Sequence, residues 1–216
     1  MYTFENPLLK IDYQKIEEIK SLYPNVEIIA ATKYIMAHTM IDLCSVGINN
    51  FGENRVDSFV KKHFELRDLD IKWHFIGHLQ RNKAKLIIND IDCLHSLDSL
   101  ELAKIIDEKR DRPLDCYIEL KLTNNPLKNG VKKDNLESFI NEVKDKYKKV
   151  NIIGLMAMTD ENMSDDNKLK LFKEVKEIGE KYNLHKFSMG MSEDYNLAIE
   201  AGSTTIRLGR ILYKED

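Results

Sequence analysis

Residues 26–32 read Val26-Glu27-Ile28-Ile29-Ala30-Ala31-Thr32, and Lys33 follows at once. The run is short, apolar and partly β-branched, with Pro24-Asn25 before it, the pattern of a strand buried on both faces. Comparable runs recur at 48–51, 73–77, 91–96, 115–122, 152–157, 186–190 and 204–209. Between them lie charged, amphipathic stretches at 53–66, 99–110, 135–148, 166–182 and 193–201. In 166–182 the apolar stripe is Leu169, Phe172, Val175 and Ile178, which is helical spacing. A further helix over 8–23 is expected before the first strand, with Pro24-Asn25 as its stop. Strands alternating with helices predict a parallel α/β sheet of right-handed βαβ units. Eight strands in 216 residues fit a closed (β/α)8 TIM barrel with an N-terminal extra helix, a doubly wound sheet being the alternative that pattern alone leaves open. No linker or composition break divides the chain, so 1–216 is expected to be a single barrel domain.

Composition narrows the function. Lys and Arg total 33 against 36 Asp and Glu, a net charge of −3, too balanced to mark a nucleic-acid or membrane-surface protein. No apolar stretch nears the roughly 18 residues of a membrane span, and the first ten residues, with Glu5 and Pro7, lack a signal peptide's apolar region. A cytoplasmic location is expected. Cys44, Cys93 and Cys116 are widely spaced and form no CxxC, so buried thiols are expected rather than a disulfide framework or structural zinc.

A barrel concentrates chemistry at the C-terminal strand ends. At the first stands Lys33, behind Ile28-Ile29-Ala30-Ala31. A lysine amine in apolar surroundings is more readily a nucleophile toward a carbonyl, although a lysine past a strand is also an ordinary surface residue. The second end, Phe51-Gly52-Glu53-Asn54, offers the Asn54 amide, or merely starts a helix. The third, Trp73-His74-Phe75-Ile76-Gly77-His78-Leu79-Gln80, holds two histidines but no third ligand at metal spacing, so no metal site is expected. The seventh, Ser188-Met189-Gly190-Met191-Ser192, is a small hydroxyl-bearing turn before a helix beginning near Glu193, where backbone N–H groups make an anion site. The eighth places Arg207 in the last strand with Gly209 and Arg210 after it. Phosphate sites in such barrels commonly lie between the seventh and eighth loops; the competing reading of Arg207 is an internal salt bridge. A strand-end lysine opposite a phosphate site suits a phosphate-bearing aldehyde or ketone, either pyridoxal 5′-phosphate (PLP) or a sugar phosphate. There is no Walker A motif, GxGxxG or GxSxG.

The same residues resemble the pyridoxal phosphate homeostasis protein family, also called the YggS/PROSC family. The matches run in order through Ala31-Thr32-Lys33, Phe51-Gly52-Glu53-Asn54, Trp73 to Gln80 with Asn82-Lys83, and His95-Ser96. They continue through Gly154-Leu155-Met156-Ala157, Ser188 to Ser192 with Asp194, and Ala201-Gly202-Ser203-Thr204 with Arg207, Leu208 and Gly209. That family is similar to the barrel domain of alanine racemases (the alanine racemase N-terminal domain) and of ornithine decarboxylases. The resemblance implies PLP as cofactor, in a Schiff base on Lys33. It implies Arg207 facing the pyridine nitrogen, and Ser192, Gly209 and the Arg210 backbone on the phosphate. Asn54 and His74 would line the ring's edge, with Ser188 and Met189 nearby. Arg210 departs from the small hydroxyl residue usual there, residues 123–130 match only in outline through Lys128 and Gly130, and the usual final helix is expected to be abbreviated after Tyr213.

The resemblance thus implies a PLP carrier in intracellular PLP homeostasis, without catalytic turnover. An arginine at the pyridine nitrogen disfavours its protonation and weakens the ring as an electron sink. The alternative is a PLP-dependent amino-acid racemase, whose second base comes from an added domain or partner subunit; the expected barrel uses the whole chain. PLP-dependent apo-enzymes are the implied partners, and a monomer is expected.

Overall fold

The structure, a computed structural model, describes residues 9–122 and 129–215. The described chain enters through strand β1 (Leu9–Ile11) and helix α1 (Tyr13–Leu22) and reaches the barrel at β2 (Glu27–Ala31). Seven barrel strands follow: β3 (Asn50–Glu53), β4 (Lys72–Phe75), β5 (Cys93–Leu97), β6 (Leu114–Lys121), β8 (Val150–Met156), β9 (Lys186–Ser188) and β10 (Thr205–Leu208). Each pairs in parallel with its neighbours, and β2 pairs with β10. The ring closes where β5 meets β6 through Cys93↔Asp115 and Leu94↔Cys116. That pairing decides for the barrel over the doubly wound sheet, since a closed sheet leaves no edge. The two-residue β7 (Val131–Lys132) adds to the end of β6.

Period 2 divides each strand between two environments. In β10, Ile206 and Leu208 join the large apolar cluster between barrel and helices, while Thr205 and Arg207 make their side-chain bonds within the barrel. The helices supply the other half of that cluster: α3 (Val56–Glu65), α5 (Leu100–Lys109), α6 (Leu136–Lys146) and α7 (Asp165–Lys181) each bury one stripe. The lumen is different. Its small apolar cluster is Cys93, Tyr117 and Met156, and beside it stand the polar side chains of Arg207, Ser188, His95 and His74. Cys93 and Cys116 are buried and Cys44 half-buried, all free; burial pushes the three thiols up.

Besides the short helix α4 (Arg81–Ala84) and strand β7, neither of them expected, the expected elements differ from the observed ones in three places. Helix α1 starts at Tyr13, capped by the Asp12 carboxylate accepting from Lys15 N–H at 3.1 Å. Leu9–Ile11, read as part of that helix, instead pairs antiparallel with β11 (Tyr213–Glu215), a partner two hundred residues away that no local pattern announces. Helix α2 (Ala37–Ser45) was not foreseen; it begins at Met36 without a side-chain cap. The seventh loop is the third. Helix α8 begins at Tyr195 and is only six residues long (Tyr195–Glu200). The loop at 123–128 lies outside the described residues.

Gly154 shows how tightly β8 and β9 are joined: a Cβ there would overlap the Lys186 carbonyl, its register partner. Gly154→Ala is therefore expected to cost about 2 kcal/mol, or roughly 4–8 °C in melting temperature for a chain this size. A thermal melt within 1 °C or so of the unaltered protein would contradict that packing.

Candidate functional site

The mouth at the C-terminal strand ends is built from neighbouring strands. Lys33 follows β2, and Arg207 on β10 pairs with Ile29 of β2. The lysine and the eighth-strand loop are thus adjacent, rather than opposite as the sequence suggested. Lys33 is exposed, not enclosed by apolar groups, and its ammonium lies 4.5 Å from the Tyr34 ring centroid. The residue before it is fixed. Thr32 donates its N–H to Gly52 O at 3.0 Å and its hydroxyl to Glu53 Oε1 at 2.6 Å.

Arg207 is buried in the lumen. Its Nη1 donates to Ser188 O at 2.7 Å and to Ser188 Oγ at 2.6 Å, and Nη2 donates to Ala157 O at 3.3 Å. Burial pushes the guanidinium down to about 10, partly offset by Asp194 and Glu119, so it remains charged at neutral pH. That charge sets a direction on everything beyond it. Ser188 Oγ accepts from Arg207 and so donates to His95 Nδ1 at 2.8 Å. His95 Nε2–H then donates to His74 Nδ1 at 3.0 Å, and His74 Nε2–H to Asn50 Oδ1 at 3.1 Å. Both rings are neutral in this assignment. Burial, then Lys72, pushes His74 down to about 4, and burial, then His74 and Arg207, pushes His95 well below its ordinary range. A second chain runs beside the first: Tyr117 O–H donates to Thr205 Oγ1 at 3.1 Å, and Thr205 to Glu27 Oε2 at 3.1 Å.

A nitrogen of His74, a nitrogen of His95 and the Cys93 sulfur lie within 4.8 Å of one another. The ring nitrogens are all engaged in the chain just described, beside a fixed cation.

The phosphate-like geometry lies on the eighth loop. Ser192 Oγ accepts the backbone N–H of Gly209 at 3.1 Å and of Ile211 at 3.5 Å. A Cβ on Gly209 would meet nothing nearer than Ala31 Cβ at 3.7 Å, so the strand end faces open space there. The N–H groups expected from a helix starting near Glu193 are spent otherwise. Met191 N–H donates to Asp194 Oδ1 at 2.7 Å, and Tyr195 N–H to Met191 O at 2.9 Å. Gly190 permits this turn, with φ +91° and a Cβ position blocked by Ala198 and Tyr195.

Of the residues singled out in the sequence, Lys33, Ser192, Gly209, Ser188 and Arg207 fall on the adjacent strand ends β2, β9 and β10 and the loops after them. His74 lies deeper, as a link of the chain. Asn54 is exposed at the end of β3, on the rim. Met189 does not join them: its side chain is buried in the large cluster outside the lumen. The Arg210 side chain turns away too, pairing with Glu193 at 2.5 Å with 77% of it exposed, which leaves only its backbone at the loop. Sequence reasoning missed Asn50, His95 as a hydrogen-bonding group, Thr205 and Lys62. The period-2 alternation of β5 and β10 was the signal for His95 and Thr205.

Eight parallel strands closed on themselves, with an amine, a buried guanidinium and a glycine loop bonded to the Ser192 hydroxyl at one mouth, define a barrel of the alanine racemase N-terminal domain class, whose family model matches residues 13–216. Within it, similarity concentrates on one group of proteins. A pyridoxal phosphate homeostasis protein of Aquifex aeolicus is 33% identical over 88% of this chain and 86% of its own, and one of Helicobacter pylori 30% identical over 93% and 94%. The structure of PipY from Synechococcus elongatus with PLP bound matches with a TM-score of 0.85 and 31% identity, covering 93% of this chain and 99% of that one. The chain belongs to the pyridoxal phosphate homeostasis protein family. Alanine racemase from Corynebacterium glutamicum shares the fold at 14% identity and a TM-score of 0.70, over 94% of this chain and 61% of the racemase.

The buried histidines make stability depend on acid. Below about pH 6.5 the unfolded chain protonates both rings while the native chain does not, so the native state loses about 1.4 kcal/mol per pH unit per ring as pH falls. For His74 the loss continues to about pH 4, and above pH 7 these groups contribute no slope. Urea midpoints are expected to drop between pH 7 and pH 5, and less so in His74→Gln. Equal dependences in the two proteins would contradict a neutral His74.

Proposed function

We propose that residues 1–216 form one PLP-binding barrel domain that holds the cofactor as a Schiff base on Lys33 and serves intracellular PLP homeostasis without catalytic turnover. The observation that carries this reading is the adjacency of three unlike groups on β2 and β10. They are an exposed amine at Lys33, a buried but charged guanidinium at Arg207, and two backbone N–H groups, of Gly209 and Ile211, converging on one oxygen. These fit PLP. The Ser192 oxygen already occupies the kind of position a phosphate oxygen takes, and the open space at Gly209 would admit the group. The ring nitrogen calls for a donor, which Arg207 is; the aldehyde calls for an amine, which Lys33 is.

Bound PLP supplies an aldehyde that captures amines and a pyridine ring that draws electrons from the attached carbon. The protein's own residues limit that second property. Arg207 cannot accept a proton, so it presents only N–H to a ring nitrogen and disfavours its protonation. The carboxylates that would favour a pyridinium, Asp194 and Glu119, act here on Arg207 itself. Ser192, Gly209 and the Arg210 backbone would hold the phosphate, Asn54 lies at the rim, and Ser188 accepts from Arg207, with His74 two hydrogen bonds further along the chain. The reading extends to a cytoplasmic monomer that passes PLP to PLP-dependent apo-enzymes. No described helix is long and apolar enough to cross a membrane.

A racemase is the runner-up because the barrel is shared. The relatives at 30% identity or more match this chain over most of their own length, whereas the racemase match stops at 61% of that enzyme, which favours the carrier.

Purified protein incubated with PLP is expected to gain visible absorbance, and borohydride is expected to leave a pyridoxyl mass on the Lys33 peptide. A mass on another lysine, or none, would overturn the assignment. Lys33→Ala should lose the band and keep cooperative unfolding, since this side chain is exposed. Alanine in deuterated water should show no catalytic exchange at Cα; multiple turnovers would favour the racemase.

A further inference from the structure

The strand end that carries Lys33 is gripped by a buried ion pair outside the lumen. Glu53, at the end of β3, and Lys62, on α3, are bonded at 2.8 Å with side chains 0% and 1% exposed. Lys62 Nζ also donates to Thr32 O at 2.6 Å, which accepts from Ile35 N–H as well, at 3.2 Å. The Thr32 hydroxyl reaches the same Glu53 Oε1 at 2.6 Å. Every polar atom of Thr32, the residue before Lys33, is thus engaged, two of them by this pair.

A buried ion pair is weak evidence for stability. Taking two charges out of water costs more than an apolar pair of the same volume commonly would. Here the cost is visible, because Glu53 Oε2 is buried without a hydrogen-bond partner, as is the Tyr213 hydroxyl. Burial and then Glu53 push that phenol up, so the two lie close enough to feel each other. Such groups are expected where local order serves a site.

We propose that the Glu53–Lys62 pair is a positioning device for Lys33. It fixes the Thr32 peptide, and with it the origin and direction of an exposed four-carbon side chain. The proposal rests on the reading of Lys33 as the PLP-linking amine. The step it favours is a condensation. The neutral Lys33 nitrogen bonds to the aldehyde carbon, both amine hydrogens leave with the aldehyde oxygen as water, and C=N replaces C=O with no change in oxidation state. Holding the amine near that carbon removes part of the ordering cost of the step. Non-covalent binding through phosphate and ring does not use the pair.

That separation gives the test. Glu53→Leu/Lys62→Met replaces the pair with apolar side chains of similar volume, which commonly preserves folding. Two ligands are titrated against it and the unaltered protein: PLP, read by absorbance and borohydride trapping at Lys33, and 4-deoxypyridoxine 5′-phosphate, which lacks the aldehyde, read by calorimetry. The expected result is covalent capture weakened about tenfold, with binding of the deoxy ligand within about twofold. Parallel losses for both ligands would make the pair merely structural, and no change in either would make it irrelevant; both overturn the proposal. Should the double variant fail to fold, Thr32→Val decides, since it keeps the ion pair and removes one grip. It is expected to show the same split at about threefold. Failure of the unaltered protein to trap PLP on Lys33 would overturn the underlying reading instead, and the two failures are therefore distinguishable.

Discussion

A guanidinium enclosed inside a closed barrel imposes conditions on its surroundings. Arg207 has only donors, so each neighbour must offer an acceptor: Ser188 with carbonyl and hydroxyl, and Ala157 with its carbonyl. Once Ser188 Oγ accepts, its proton has one partner left, His95 Nδ1. That choice fixes the tautomer of His95, then of His74, and ends on the Asn50 amide. A single buried charge near the mouth thereby dictates the proton positions along much of the lumen. Were His74 protonated, two donors would face each other at 3.0 Å; were His95 protonated, its new Nδ1–H would face the Ser188 hydroxyl proton at 2.8 Å, next to a cation.

The same charge defines the chemistry at the mouth. On the proposed function, a ring nitrogen above Arg207 would meet a donor that keeps its proton near neutral pH, because burial lowers it only to about 10. The proposed site would then capture an aldehyde without strongly activating what is attached to it, which suits storage and delivery more than turnover. The amine and the phosphate-holding backbone need only be well placed for this. Each has its own support: Lys33 leans on Thr32 and the Glu53–Lys62 pair, and Gly209 on Ser192.

Much of this was legible in the sequence, for identifiable reasons. The eight strands were readable because each is a short apolar run, and both ends of most were placed within two residues. The placement of Lys33, Ser192, Arg207 and Gly209 at strand ends was readable because the strands themselves were. Barrel closure was not readable, since the β5–β6 pairing that makes it leaves no local trace. Leu9–Ile11 was misread as helix for the same reason, its partner being the chain's other end. Met189, grouped with Ser188 in the sequence, has its side chain in the large cluster instead, because successive residues along an extended chain face opposite ways. Lys62 was invisible because it looks like any other charged residue of an amphipathic helix, and only the fold shows that it faces inward.

The most direct measurement is a crystal structure of the protein with PLP. The account requires continuous density from Lys33 Nζ to the cofactor's aldehyde carbon. It also requires the phosphate on Ser192 and the Gly209 backbone, and an Arg207 nitrogen within hydrogen-bond reach of the pyridine nitrogen. PLP joined to a different lysine, or a carboxylate in place of Arg207 at that nitrogen, would contradict it.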